Sequence, residues 1–159
     1  MLFIGFARED EEIESIYERD KKSLLAQTDT NIVVVNATHQ DLSEQIKLAK
    51  SIYITGGDTR KLLEEVGQHS DFVKLLNGKT IAGSSAGANL FSRFYFSTSL
   101  GCICEGLGVL QLSLVCHYGN AEMGVDENAI ALLKNNSNTL NVVTLAEQAF
   151  RTFEVDLTD

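Results

Sequence analysis

Gly83-Ser84-Ser85-Ala86-Gly87 is a Gly-x-Ser-x-Gly pentapeptide between a short apolar run, Ile81-Ala82, and a helix-compatible run, Ala88 to Phe94. That is the strand-to-helix context a nucleophile elbow requires. The turn is so sharp that side chains beside the nucleophile would strike the neighbouring strand or helix, and glycine removes the clash. Ser85 would then stand at a helix N-terminus, where open N–H groups and the helix dipole stabilise negative charge. A serine hydroxyl alone is a poor nucleophile at neutral pH, so a base must take its proton. Of the three histidines only His117 follows an apolar, strand-like run, Leu112 to Cys116; His39 and His69 lie in polar surroundings. Each feature also has a plainer reading. The pentapeptide could be an ordinary Gly/Ser turn, and His117 a structural histidine.

The elements that would position these residues alternate along the chain. Leu2 to Ala7 reads as a buried strand and Glu9 to Leu25 as a charged amphipathic helix with Ile13, Ile16, Tyr17 and Leu24 on one side. The acidic start of that helix, Glu9 to Glu12, suits its N-terminus and is otherwise a solvated face. Ile32-Val33-Val34-Val35 is a β-branched run of the kind covered on both faces in a parallel sheet. A short helix over Asp41 to Lys50, a strand over Ser51 to Thr55 and a helix capped by Asp58 or Thr59 follow. A further helical piece holds Phe72, Val73 and Leu75 before the Asn77-Gly78 turn. Past the elbow, Phe94 to Cys104 reads as strands or extended loop, Leu112 to Cys116 as a strand and Asp126 to Lys134 as a helix. Asn135 to Asn138 reads as a turn, and Asn141 to Leu145 with Phe150 to Val155 as a closing hairpin. Such alternation means βαβ units, hence a parallel sheet with helices on both faces, in one domain over 1–159. Ligands of such sheets sit outside the carboxyl ends of the strands. Gly56-Gly57, Ser85 and His117 all fall just past strand-like runs, so all are expected at one rim.

Composition narrows the partners. A chain of 159 residues can bury a proper core, and 44% hydrophobic with 22% charged residues is ordinary for a globular protein. The net charge of −9 would repel nucleic acid and anionic membranes. No apolar run approaches the ~20 residues of a membrane span, and the first residues lack the features of a signal peptide. Cys102, Cys104 and Cys116 are an odd number without ligand or redox-pair spacing. A cytoplasmic protein with reduced thiols is expected, with no metal and no cofactor.

Three blocks resemble the peptidase E (aspartyl dipeptidase) and cyanophycinase group of serine peptidases. Ile54-Thr55-Gly56-Gly57-Asp58-Thr59 with Leu62-Leu63 is similar to that group's Gly-Gly-Asn-Thr block. Ala82 to Leu90 is similar to its nucleophile block, and Gly106 to Leu110 with His117-Tyr118 to its Gly-Leu-Gly and His-Phe region. The resemblance spans about Leu2 to Val155. It implies an α/β three-layer sandwich with a mostly parallel sheet, similar to the class I glutamine amidotransferases. It also implies hydrolysis of a dipeptide or short peptide through an acyl-enzyme on Ser85, with His117 as base. The oxyanion formed on attack needs two donors. Resemblance and local geometry agree on the backbone N–H of Ala86, directly after the nucleophile, and on that of Gly57.

The chain also departs from the group. Its orienting acid usually lies between nucleophile and histidine, where Ser97 to Gly101 stand here without a carboxylate. Glu105, the only acid between Ser85 and His117, is the candidate for holding the histidine tautomer, and its competing role is a solvent-facing loop residue. The aspartate-selective members carry an arginine after the histidine; Glu122 to Leu133 holds none, and its acids would repel an acidic side chain. The chain opens at what resembles the group's second strand. A sheet edge shortened at the N-terminus is expected to be uncovered, which favours a homo-oligomer, most simply a dimer. The alternative function is a weak or inactive relative kept as a binding or assembly domain. An esterase of the α/β-hydrolase type is disfavoured by length, and an amidotransferase would place cysteine at Ser85.

Overall fold

Alternating apolar runs and amphipathic segments in the first half of the chain become parallel strands joined by helices. Residues 1–27, 31–137 and 139–157 are described in the computed structural model. The chain divides into two units, Met1–Gly87 with the terminal residues from Asp156, and Ala88–Val155.

The first unit holds β1 (Leu2–Ile4), α1 (Asp10–Ala26), β2 (Val35–Asn36), α2 (Leu42–Leu48), β3 (Ser51–Ile54), α3 (Thr59–Gly67), α4 (Phe72–Leu75) and β4 (Thr80–Gly83). Its sheet runs β2-β1-β3-β4, with all neighbours parallel. Side chains alternate along each strand. Phe3 and Tyr53, partners in register, stack at 5.8 Å on one face, and Tyr17 of α1 meets Phe3 edge-on at 5.4 Å. The Tyr17 hydroxyl donates to the Val34 carbonyl at 2.9 Å, which ties α1 to the segment before β2. Leu2, Ile4, Ile52 and Ile54, on the other face, are buried too. Each such side chain contributes roughly 1.5–3 kcal/mol. α1 begins on a capping box between Glu9 and Glu12, with Asp10, Glu11 and Glu12 in its first turn. Asp58 caps α3 by accepting from the N–H groups of Arg60 and Lys61.

The expectation for Ile32 to Val35 is corrected. Only Val35–Asn36 forms strand, Val33 and Val35 are 75% and 47% exposed, and β2 is the edge of the sheet. The β-branched run stood for an edge rather than a strand covered on both faces. β1 lies inside the sheet, between β2 and β3.

The second unit takes up the chain within α5 (Ala86–Asn89) and continues with β5 (Ser92–Ser97), β6 (Cys102–Glu105), β7 (Leu110–Cys116), α6 (Glu127–Asn136) and β8 (Asn141–Leu145). Its sheet runs β6-β5-β7-β8; among the described residues only β5 and β6 pair antiparallel. Val125, Ala129 and Leu133, at and within α6, pack with Phe96 and Val115. The helix expected from Ala88 to Phe94 stops at Asn89, because the aromatic run Phe94-Tyr95-Phe96 belongs to a strand. Gly106 seals that connection: a Cβ there would lie 2.4 Å from the Ser92 carbonyl oxygen. The expected closing hairpin is absent. β8 pairs parallel with β7 after the α6 crossover, while 150–155 carries no strand and exposes Phe150 and Phe153. The turn expected at Asn135 to Asn138 is helix up to Asn136, and Asn138 lies outside the described residues. Among the described residues no helix is long and apolar enough to cross a membrane.

Candidate active site

The elbow is built by β4 and the short α5. Ser84 N–H donates to the Ile54 carbonyl at 3.0 Å, continuing the β3–β4 ladder one residue past Gly83, and Gly87 N–H returns to the Ser84 carbonyl at 2.9 Å. Between them Ser85 has φ 48°, the left-handed conformation that strains any residue with a Cβ. The flanking glycines are required by space. A Cβ on Gly87 would lie 2.4 Å from the Ile54 carbonyl oxygen. One on Gly56 would lie 3.2 Å from Cβ of Ser85, so the turn after β3 abuts Ser85 directly. Gly57 has φ 154°, and a Cβ there would stand 2.1 Å from the Ala7 carbonyl oxygen. Gly56-Gly57 and Ser85 therefore follow the carboxyl ends of adjacent parallel strands, and Ala86 opens the helix after Ser85. The Tyr53 phenol is held above its ordinary value by burial and by the nearby Asp20 charge.

In the second unit, His117 follows the last residue of β7 and also has left-handed backbone, φ 59°. Its Nδ1 lies 2.8 Å from Oε1 of Glu147, two residues past β8, and Asn120 Nδ2 donates to the same oxygen at 3.0 Å. The bond from Asn120, and then that from His117, hold the Glu147 carboxyl below the usual carboxylate range. Facing a carboxylate, Nδ1 carries the proton, which leaves Nε2 as the basic nitrogen. Among the described residues the non-glycine positions with left-handed backbone are Ser85, His117 and Gln148. Two are the residues singled out by their types, and the third follows Glu147. Strain of this kind collects where function fixes the backbone.

Glu105 stands elsewhere in the second unit. It ends β6, is mostly exposed and pairs with Arg93 at 3.4 Å. The acid on His117 is Glu147, which lies outside the stretch between Ser85 and His117 where the orienting acid is expected from the sequence. The signal was available: Glu147 comes just after an apolar strand-like run, as His117 does. Cys116 is a buried strand residue whose thiol burial pushes up to about 12; its Sγ donates to Asn89 Oδ1 at 3.4 Å. Among the described residues no group of three or more His, Cys, Asp or Glu could hold a metal ion.

Comparison with known proteins follows the same lines. The chain is similar to the solved structure of a candidate peptidase E from Listeria monocytogenes EGD-e, with TM-score 0.64 and 22% identity, over 91% of this chain and 76% of that one. It is similar also to a peptidase from an acI-B1 Actinobacterium, with TM-score 0.64 and 20% identity, over 92% of this chain and 66% of that one. At these identities the likeness is one of fold: α/β, mostly parallel, consistent with the three-layer sandwich expected from the sequence. No curated protein matches the chain. The model of Peptidase family S51 matches residues 1–154, so the chain belongs to that family of serine-type peptidases.

Proposed function

We propose that the chain, acting as one functional domain, hydrolyses dipeptides or short peptides through an acyl-enzyme on Ser85. Ser85 Oγ attacks the scissile carbonyl carbon while Nε2 of His117 takes its proton. The same nitrogen then returns the proton to the leaving amine, and water repeats the sequence to free the acid. The N–H groups of Ala86 and Gly57 receive the oxyanion in both steps. Glu147, rather than Glu105, holds the imidazole in the required tautomer and steadies the imidazolium. The observation that carries the reading is the left-handed backbone of Ser85 within a Gly-x-Ser-x-Gly turn between β4 and α5. The reading of an inactive binding domain rests on a missing acid and a missing first strand, and the contact between Glu147 and His117 weighs against the first of these. With no arginine in 122–133, an acidic side chain is not the expected substrate feature.

The test is hydrolysis of a short-peptide library by the parent chain and by Ser85→Ala. Cleavage confined to the parent supports the reading; equal cleavage by both rejects it. A homodimer and a cytoplasmic setting belong to the same proposal. The first is supported by the exposed valines at the β2 edge and the second by three cysteines that are all thiols. Light scattering at micromolar concentration separates a dimer from a 17.4 kDa monomer.

A further inference from the structure

Arg8 plays no part in the chemistry described above, yet it grips the turn that carries Gly57. Its Nε donates to the Gly56 carbonyl oxygen at 2.7 Å in a partly buried position. The Gly56 carbonyl and the Gly57 N–H are two ends of one peptide unit, planar and trans, so they point in opposite directions. A cation fixed on the oxygen therefore sets the direction of the N–H. It also draws electron density toward the carbonyl, which makes the N–H a stronger donor. We propose that Arg8 is a positioning residue for peptide hydrolysis: it orients and polarises the Gly56–Gly57 peptide so that the Gly57 N–H is set for the oxyanion before substrate arrives. The inference rests on the reading of Gly57 as an oxyanion donor.

The surrounding contacts leave the turn little freedom to rotate away. Asp58 N–H donates to the Ala7 carbonyl at 2.8 Å, so the loop after β1 and the loop after β3 are joined on both sides of Gly57. A Cβ on Gly57 would run into the Ala7 backbone, and one on Gly56 would press on Ser85. Arginine suits the task because its guanidinium stays charged at any working pH and its Nε–H is fixed in a plane. A neutral donor would orient the peptide with less polarisation.

The test compares the parent chain with Arg8→Met, Arg8→Gln and Arg8→Lys, all full length, for kcat and KM on a cleaved peptide. Affinity for a peptide trifluoromethyl ketone, whose adduct carries the oxyanion, is measured in parallel, with circular dichroism to confirm folding. Removing one oxyanion donor outright costs about 10²–10³ in kcat. Weakening one should cost Arg8→Met roughly ten- to a hundredfold in kcat with KM nearly unchanged, and a matching loss of ketone affinity. Arg8→Lys should recover more of the activity than Arg8→Gln. A rise in KM at constant kcat would overturn the inference by making Arg8 a partner of the substrate, and so would unchanged kinetics in an active enzyme. If the parent cleaves nothing and Ser85→Ala changes nothing, the Ser85 reading fails and takes this one with it.

Discussion

Nδ1 of His117 lies 2.8 Å from Oε1 of Glu147, thirty residues further along the chain. The relationship depends on β7 and β8 being parallel neighbours, which brings the loops at their carboxyl ends side by side. Hydrolysis should reflect that geometry. Glu147→Gln keeps the shape but lets the imidazole rest in the wrong tautomer, a change that costs about 10⁴ in kcat where the acid is buried. Glu147 is 57% exposed, so water compensates in part and a fall of roughly a hundredfold is expected. Glu105→Gln should leave kcat/KM close to the parent value. Steady-state kinetics on one cleaved peptide checks both.

The Glu147 carboxyl is held below its ordinary value by Asn120 and then His117, which fixes the sign of one pH effect. A depressed carboxylate contributes its stabilisation fully above the unfolded value. That contribution fades as pH falls below the ordinary value of 4.5 and through the lower folded value. Carbon-detected titration of the Glu147 carboxyl should give a midpoint below 4.5 in the parent and a higher one in Asn120→Ala. Equal midpoints would show that Asn120 does not hold the acid.

Left-handed backbone at Ser85 stores strain, since a side chain there costs roughly 1–2 kcal/mol that glycine avoids. Ser85→Gly should therefore unfold at higher denaturant than Ser85→Ala, by up to about 1 kcal/mol once the extra freedom of unfolded glycine is counted. Both should lack activity. Urea unfolding of the two variants side by side measures the difference.

Gly87→Ala tests the other side of the turn. A Cβ there would lie 2.4 Å from the Ile54 carbonyl oxygen, and backbone atoms have nowhere to retreat. The clash should cost about 3 kcal/mol or more, well above an ordinary surface change. Gly67→Ala, where a Cβ would meet nothing within 4 Å, is the control and should be neutral or stabilising.

What could be read in advance follows from how local each signal is. The α1 face with Tyr17, the Asp58 cap and the turn at Asn77-Gly78 are written in neighbouring residues, and the structure shows them where the sequence places them. Three features were decided by partners far away in sequence. Val33 and Val35 look like core, but the place of β2 at the sheet edge leaves them exposed. Phe94 continued a helical pattern until β5 claimed it through pairing with β6 and β7. Glu147 could be linked to His117 only by knowing that β8 lies beside β7 rather than in a hairpin with 150–155.

The most direct measurement is intact-mass analysis after treatment with a fluorophosphonate, followed by mapping of the modified peptide. A single phosphonylation on Ser85 is expected in the parent chain, strongly slowed in His117→Ala and absent in Ser85→Ala. No adduct on the folded parent chain, or an adduct on a different serine, would contradict the Ser85 reading.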